Sequence, residues 1–365
     1  MSLPFQKADA LFRADNFNEL SEDPNGQRYL KLRSLSRTEY LEKLLIATGN
    51  LDPELGSREL FKAAFESPIT SSEINSFIKK GFSEERKIRL KNESKLINEL
   101  YKLNDFNWGG LHQNSLEKTI VDNYVKKITD YDELSNCIKK ELLTSLHGYV
   151  MCSWYNHWTS IVIEDLFKEH KNVLPAIGLV KKIDFFIHDV PFDLKVTYLP
   201  EGYLSEKRRA RSLRPESTLL KQAARANSIP FSVDLSASAL LQDLWLKVSD
   251  HPSKHCKELI SELRDFRNSV CSSFAKDPTE LIKWLYENQG DRRFDSANRL
   301  FLILVDQVSF FDSWKLKRAK PLIASEVNAF LDKIGKNPGQ KITFKWEGNS
   351  YSTIAAAVTI IHKRT

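Results

Sequence analysis

Two aspartates and a lysine interrupt one of the most apolar stretches of the chain. Asp184, Asp193 and Lys195 lie in the run Ile183–Val196, whose other members are mostly hydrophobic. Successive side chains of a β-strand point to opposite faces, so these three polar side chains are expected to share one face. Buried carboxylates need a counter-charge or a cation, and Mg²⁺ prefers such oxygen ligands. The pattern predicts that Asp184 and Asp193 bind magnesium, with Lys195 orienting or helping to deprotonate an attacking water.

The two apolar runs that carry these residues predict a β-hairpin. We take the loop to be His188–Pro191, because Pro191 and the polar residues before it favour a turn. Antiparallel pairing is then counted outward from the loop. The expected pairs are Ile187 with Phe192, Asp184 with Lys195, and Phe186 with Asp193.

The spacing of these residues resembles the D-x(n)-(D/E)-x-K signature of the PD-(D/E)XK, or restriction-endonuclease-like, nuclease superfamily. Asp184 is followed by eight residues and then by Asp193-Leu194-Lys195, while Ile183 stands where a proline often precedes the first aspartate. That superfamily also tends to carry a glutamate on the helix before the first strand, and Glu164 is similar. The resemblance implies a restriction-endonuclease-like core that cuts DNA. It also implies that Glu164 is a third catalytic and metal-binding carboxylate.

Each of these residues also has a purely structural interpretation. Asp193 and Lys195 would fit the solvated face of an ordinary hairpin. Glu164 could form an i,i+4 ion pair with Lys168, and the neighbouring Asp165 is a competing carboxylate. The long apolar run around Asp193 is more typical of a central sheet than of an edge hairpin, which favours the active site.

A strongly basic segment follows the hairpin, from Glu206 to Pro215. Its cations are Lys207, Arg208, Arg209, Arg211 and Arg214. Arginine matches the geometry of phosphate oxygens, so the segment is predicted to contact the DNA backbone. The alternative is a solvated helix face. Two further basic clusters, 291–293 and 314–318, are open to the same two interpretations.

The elements before residue 146 are predicted to be mainly helical. Thr38–Ala47 has apolar residues at helical spacing, and Thr70-Ser-Ser-Glu73 is a capping-box pattern. Gly81 followed by Ser83 predicts the end of one helix and the start of the next. We expect 1–145 to form a helical domain for DNA recognition or dimerisation.

From residue 146 onward, predicted strands alternate with helices. The strands are Ala176–Ile187, Phe192–Tyr198, Ile229–Val233, Arg299–Val308, Ile342–Trp346 and Tyr351–Ile361. The helices are Ser153–His170, Ser236–Val248, Ser253–Phe274 and Pro278–Asn288. This alternation predicts an α/β or α+β core with a mixed sheet flanked by helices. We assign 146–365 to the nuclease core.

Composition narrows the class of protein without deciding its function. The 41% of hydrophobic and 28% of charged residues are typical of a globular protein, and the net charge of +6 permits a polyanionic partner. The four cysteines are widely spaced, which argues against a disulfide framework or a zinc ribbon. We see no candidate spanning segment or signal peptide, so we expect no membrane association and a cytoplasmic location.

By resemblance, a free-standing nuclease of this type suggests a type II restriction endonuclease. That implies a homodimer which cuts both strands of a short double-stranded DNA site, with a cognate DNA methyltransferase in the same system. Two alternatives stay open. One is a repair, recombination or phage-defence nuclease of the same fold, and the other is a non-catalytic DNA-binding or assembly protein.

Overall fold

A computed structural model describes residues 3–35, 38–49, 55–107, 116–178, 182–232, 235–289 and 294–363. The α-helices are α1 (Phe5–Arg13), α2 (Phe17–Glu22), α3 (Pro24–Leu35), α4 (Thr38–Ala47), α5 (Ser57–Glu66), α6 (Ser71–Leu100), α7 (Leu116–Ile120), α8 (Tyr131–Cys137), α9 (Leu143–Lys168), α10 (Glu201–Ala210), α11 (Glu216–Ala226), α12 (Ala237–Asp250), α13 (Lys254–Lys276), α14 (Thr279–Glu287) and α15 (Lys320–Lys333). Short π-helical segments lie at Val121–Val125 and Ile138–Leu142, and a 3-10 helix lies at Phe310–Arg318.

A six-stranded mixed sheet forms the centre of the fold. Its strands are β1 (Val173–Pro175), β2 (Phe185–Ile187), β3 (Val190–Tyr198), β4 (Arg299–Asp306), β5 (Gln340–Trp346) and β6 (Asn349–His362), and the spatial order is β1-β2-β3-β4-β6-β5. β3, β4 and β6 run parallel, whereas β1–β2, β2–β3 and β5–β6 are antiparallel pairs. The expectation of a mixed α/β class is therefore confirmed.

Both faces of the sheet are covered by helices, as alternation along β4 requires. Leu302 and Leu304 pack with residues of α9 and α15 on one face. Phe301 and Ile303 pack with residues of α10, α13 and α14 on the other. β4 is buried along nearly its whole length, because a parallel strand between two helical layers has no solvated side.

The N-terminal helices pack directly on the sheet. A core formed mainly by α1 to α6 also contains Leu174 of β1 and Phe186 of β2. The sequence boundary between 145 and 146 falls inside a helical stretch that runs without a break from 131 to 168. The division into 1–145 and 146–365 stays a prediction.

Two local predictions are confirmed and one is wrong in the helical region. α4 has the predicted bounds, and Thr70 caps α6 in a capping box with Glu73. α6 passes through Gly81 without a break. A Cβ at Gly81 would lie 2.7 Å from Ile177 Cδ1, so this glycine permits a close approach between α6 and the chain after β1.

The predicted strand Ile229–Val233 is wrong for residues 229–232, which form no strand, and Val233 lies outside the described residues. Ile229 and Phe231 instead pack against the core of α11, α12 and α13. Both are half-buried, so their alternation with the exposed Pro230 and Ser232 reflects packing against helices. No helix in the described ranges is both long enough and apolar enough to cross a membrane.

Candidate active site

The hairpin of β2 and β3 is tighter than the sequence suggested. Ile187 pairs with Val190 and Phe185 pairs with Phe192, so the predicted register is wrong by two residues. His188 and Asp189 form the turn, with φ values of 47° and 66°. Because side chains repeat every two residues, a shift of two leaves the side chains of the paired residues on their predicted faces. The register ends at the pair of Phe185 with Phe192, so the predicted pairing of Asp184 with Lys195 is not formed.

Asp184 lies where β2 and β3 separate. Its main-chain N–H donates to Phe192 O at 2.8 Å, and its Oδ2 accepts from the main-chain N–H of Leu194 at 2.7 Å. The carboxylate thus occupies the position of a strand acceptor beside β3. Burial raises the pKa of Asp184 to about 7, with further increases from the charges of Glu164 and Asp193.

Asp193 and Lys195 face the same side of β3. Asp193 is buried, and its Oδ2 lies 2.7 Å from Lys195 Nζ and 3.6 Å from Arg299 Nε of β4. The Lys195 side chain is 46% exposed, so its ammonium group bridges the buried carboxylate and solvent. Arg299 also pairs with Asp295 at 2.8 Å, which divides its charge between two carboxylates.

Glu164 comes from α9, the long helix that precedes β1. The helix is held against the hairpin by Ile163 and Phe167, and the Phe167 ring stacks on Phe185 at 5.4 Å. Glu164 Oε2 lies 3.1 Å from Lys168 Nζ, which is the i,i+4 pair expected from the structural interpretation. Glu164 is also near enough to Asp184 to raise its pKa. The same Glu164 side chain therefore forms the ion pair with Lys168 and lies close to Asp184.

These carboxylates match a hard divalent cation in donor chemistry. Asp184, Asp193 and Glu164 offer only oxygen ligands, and the pKa of Asp184 is raised first by burial and then by the charges of Glu164 and Asp193, which a cation would offset. Within the described ranges, however, no group of three or more His, Cys, Asp and Glu side chains is already arranged to hold a metal ion. Lys195 Nζ is bonded to Asp193. Metal binding would therefore require this lysine to move.

The basic segment after the hairpin is less exposed than its composition suggests. Arg208 is 1% exposed, donates through Nε to Arg214 O and lies over the Phe266 ring. Lys207 is paired with Glu280. We leave both out of the proposed DNA contacts, because neither presents a free charge to a ligand. The exposed members are Arg209, Arg211 and Arg214.

The two remaining basic clusters differ in what can be said of them. Cluster 291–293 lies outside the described residues. In cluster 314–318, Arg318 is buried and donates to the carbonyls of Leu100 and Leu103 near the end of α6. Lys317 is buried and donates to Asn156 Oδ1 at 2.7 Å. The last two residues of this cluster therefore have internal roles.

Sequence reasoning missed the cations that balance the carboxylates. Arg299 pairs in register with Asp193 across two parallel strands far apart in the chain. No local pattern could predict that pairing. Lys168 was considered only as a partner of Glu164, although its charge also lowers the pKa of Asp184. Comparison of the chain with protein-family models, curated protein sequences and solved structures gave no match.

Proposed function

We propose that the protein is a metal-dependent DNA endonuclease of the PD-(D/E)XK type. The observation that carries this proposal is that Asp184, buried just before β2, is close enough to Glu164 of α9 and Asp193 of β3 for their charges to raise its pKa, while Lys195 is bonded to Asp193. The three carboxylates and the lysine are the residues that the motif predicts. A mixed sheet covered by helices on both faces is compatible with the proposed core.

In this proposal, Asp184 and Asp193 hold magnesium, and Glu164 supplies a third carboxylate. Bound magnesium would supply Lewis-acid stabilisation of charge on the phosphoryl oxygens. The N–H of Leu194 fixes the orientation of Asp184. Lys195 would leave Asp193 and donate a hydrogen bond to the water that attacks phosphorus, and its half-exposed ammonium group has room for that movement. To help deprotonate this water, the ammonium group would first have to release its own proton to solvent.

The mode of action follows from the resemblance. We propose sequence-specific cutting of double-stranded DNA by a homodimer, as in a type II restriction endonuclease, alongside a cognate methyltransferase. One active site per chain makes a two-fold dimer the simplest way to cut two antiparallel strands. Sedimentation should show a dimer on DNA. A monomer that cuts both strands fully would exclude this arrangement.

The active site is tested by single-turnover cleavage of a mixed-sequence DNA with magnesium. Asp193→Asn should abolish metal-dependent cleavage while DNA binding survives, because a ligand is lost without loss of shape. Lys195→Ala should lower the rate by about 10²- to 10⁴-fold while metal binding persists. Lys341→Ala is the matched control, because Lys341 is an exposed strand lysine on β5, at the far edge of the sheet.

The control should cut at the wild-type rate. If Asp193→Asn and Lys195→Ala also cut at that rate, the hairpin is not the active site and the nuclease proposal falls. Mapping the ends of wild-type products would then separate a restriction enzyme from a nuclease acting on structured or damaged DNA. Discrete ends at one sequence favour the former.

One observation favours a non-catalytic DNA-binding protein. Asp193 and Glu164 are each already paired with a lysine, and the described residues contain no ready-made metal cluster. In that case the lysines would be permanent structural partners. Calorimetric titration with Mg²⁺ and Mn²⁺ distinguishes the two functions, since a structural cluster would bind neither ion.

A further inference from the structure

A basic groove lies between α6 and the segment that joins α9 to β1. It has a volume of about 410 Å³. Its basic lining residues are Lys79, Arg86 and Lys87 on α6 and Lys168, His170 and Lys171 on the opposite wall, whereas Glu169 is the one acidic residue among the described lining residues. We call this the α6 groove.

The two walls of the α6 groove differ in whether their lysines form ion pairs. Lys168 pairs with Glu164, and Lys171 pairs with Asp332 of α15 at 3.0 Å. Lys79 and Lys87 are exposed, and the part of the chain that the structure describes gives neither an ion-pair partner. The wall formed by α6 therefore presents uncompensated positive charge to whatever occupies the groove.

Arg86 lines the α6 groove and carries a buried donor without a partner in the described residues. Its side chain is 4% exposed, and its Nε and Nη1 lie within 2.5 Å of Glu169 and Glu93 respectively. Its Nη2 is buried and has no hydrogen-bond partner within the described ranges. A buried donor without an acceptor is costly, so this position favours a ligand that brings an acceptor oxygen.

Lys168 connects the α6 groove to the candidate active site. It lines the groove, and its Nζ lies 3.1 Å from Glu164 Oε2. Glu164 in turn is close enough to Asp184 to affect its ionisation. A polyanion in the groove would thus pass within one side chain of the carboxylate cluster.

The spacing of lysines on α6 fits a repeating anion better than a small one. Lys87, Lys91 and Lys95 are all exposed and recur every four residues. The helix rises by about 6 Å over that interval. A nucleic-acid strand carries charge at regular intervals of about 3.4 Å, so several of its phosphates can meet such a row at once.

We propose that the α6 groove binds the sugar-phosphate backbone of the DNA and directs it towards Glu164 and Asp184. The identity of this ligand rests on the proposed nuclease function. The location of the binding surface rests on the basic lining of the groove and does not depend on that function. This surface lies on the N-terminal helices, so it gives that region a direct part in substrate binding.

The test compares two triple variants of the full chain, with DNA binding followed by fluorescence anisotropy in the presence of a metal chelator. The groove variant is Lys79→Ala/Lys87→Ala/Lys91→Ala, which removes two lysines of the groove lining and the next exposed lysine of the row on α6. The matched control is Lys257→Ala/Lys276→Ala/Lys341→Ala, which removes the same charge from exposed lysines on α13 and β5. Each lost phosphate contact reduces the slope of log affinity against log salt by about 0.9. The slope should therefore fall by almost 3 in the groove variant.

The two proposals can fail separately. If the groove variant keeps the wild-type slope and still cuts DNA, the groove assignment is wrong and the nuclease stands. If the groove variant shows the reduced salt slope but wild-type protein does not cut DNA with any divalent ion, the groove proposal is supported and the nuclease proposal is wrong. An equal reduction of the salt slope in the groove and control variants would overturn the groove proposal. Tighter binding of polyglutamate than of DNA would overturn it as well.

Lysine acetylation provides a second measurement that does not depend on variants. Exposed lysines react with acetic anhydride, and mass spectrometry locates the products. Bound DNA should protect Lys79 and Lys87 while Lys257 and Lys341 continue to react. Equal labelling of all four with and without saturating DNA would contradict the proposal.

Discussion

Glu164 and Asp165 are neighbours on α9 but belong to two different charge clusters. Asp165 is buried, and Arg89 holds it through two hydrogen bonds of 2.8 and 2.9 Å. Arg86 lies 3.3 Å away. This seam cluster joins α6, α9 and α15, and its members are Arg86, Arg89, Lys320, Glu85, Glu93, Asp165 and Glu169. Each of its four carboxylates forms an ion pair with an arginine.

The candidate active site has a different arrangement of charges. Glu164, Asp184 and Asp193 face Lys168 and Lys195, while Arg299 is shared with Asp295. In the seam cluster, burial alone would raise the pKa of Glu93, but hydrogen bonds from Arg86 and Lys320 bring it below its usual value.

In the candidate active site, burial and two neighbouring carboxylates raise the pKa of Asp184 to about 7, and Asp184 forms no ion pair within the described ranges. Direct pairing with cations thus lowers the pKa of the buried Glu93, whereas Asp184, without such a partner, has a raised pKa, which is common at functional sites.

The largest expected effect on stability comes from breaking the seam cluster. Asp165→Asn keeps the shape of the side chain but leaves Arg86 and Arg89 with less counter-charge in a buried position. We expect the free energy of unfolding to fall by about 3 kcal/mol. Urea denaturation measures this free energy of unfolding. Cleavage per folded molecule should remain near wild type, and a large loss of that activity would place Asp165 in the active site instead.

The adjacent substitution should show the opposite pattern. Glu164→Gln removes one carboxylate of the candidate site while preserving helix packing. We expect the single-turnover cleavage rate to fall about 100-fold, which corresponds to about 2.7 kcal/mol of barrier. The urea midpoint should change little, because Glu164 is partly exposed and its pair with Lys168 contributes little. Unchanged cleavage would leave Glu164 as a structural partner of Lys168 only.

A buried charge with no carboxylate partner provides the third comparison. Lys317 donates to Asn156, and burial lowers its pKa from 10.5 to about 8. The unfolded chain binds this proton more tightly, so the ammonium group destabilises the fold below pH 8, and stability recovers as pH rises towards 10.5. The shift corresponds to about 3 kcal/mol, less about 1 kcal/mol for the hydrogen bond.

Lys317→Met should therefore stabilise the protein by about 2 kcal/mol at pH 7, and the gain should shrink by pH 10. Urea denaturation at both pH values measures the change. The control is Lys315→Met, because Lys315 pairs with Asp312 at 2.9 Å and is more exposed. A gain that is equal at both pH values would show that Lys317 is not held with a lowered pKa.

Period-two alternation was sufficient to predict that Asp193 and Lys195 share a face of β3, whereas Asp184 lies outside β2 and bonds to the β3 backbone. It could not determine the register, because the turn uses positive φ at His188 and Asp189, which are not the glycine or asparagine that usually indicate such turns. The error in register left the paired side chains on their predicted faces only because it was an even number of residues.

Other features depended on packing that the sequence shows weakly or not at all. The burial of Arg208 had a local signal, since it follows the buried Leu204 at i+4 on α10. The pairing of Asp193 with Arg299 had none, because it depends on which strands become neighbours. Composition likewise could not show that Asp165 has its charge matched while Glu164 adjoins a surplus of carboxylates.

The smallest effect is expected for the basic segment after α10. Arg209 and Arg214 are exposed, whereas Arg211 lies over Phe266 and is within 3.4 Å of Ser269. Two free guanidinium groups can each neutralise one phosphate, so replacing all three arginines with alanine should lower the salt slope by about 2, less than for the α6 groove. Arg208→Met, by contrast, should leave the slope unchanged, because its charge is already buried. An equal slope change in both variants would show that the segment rearranges on DNA.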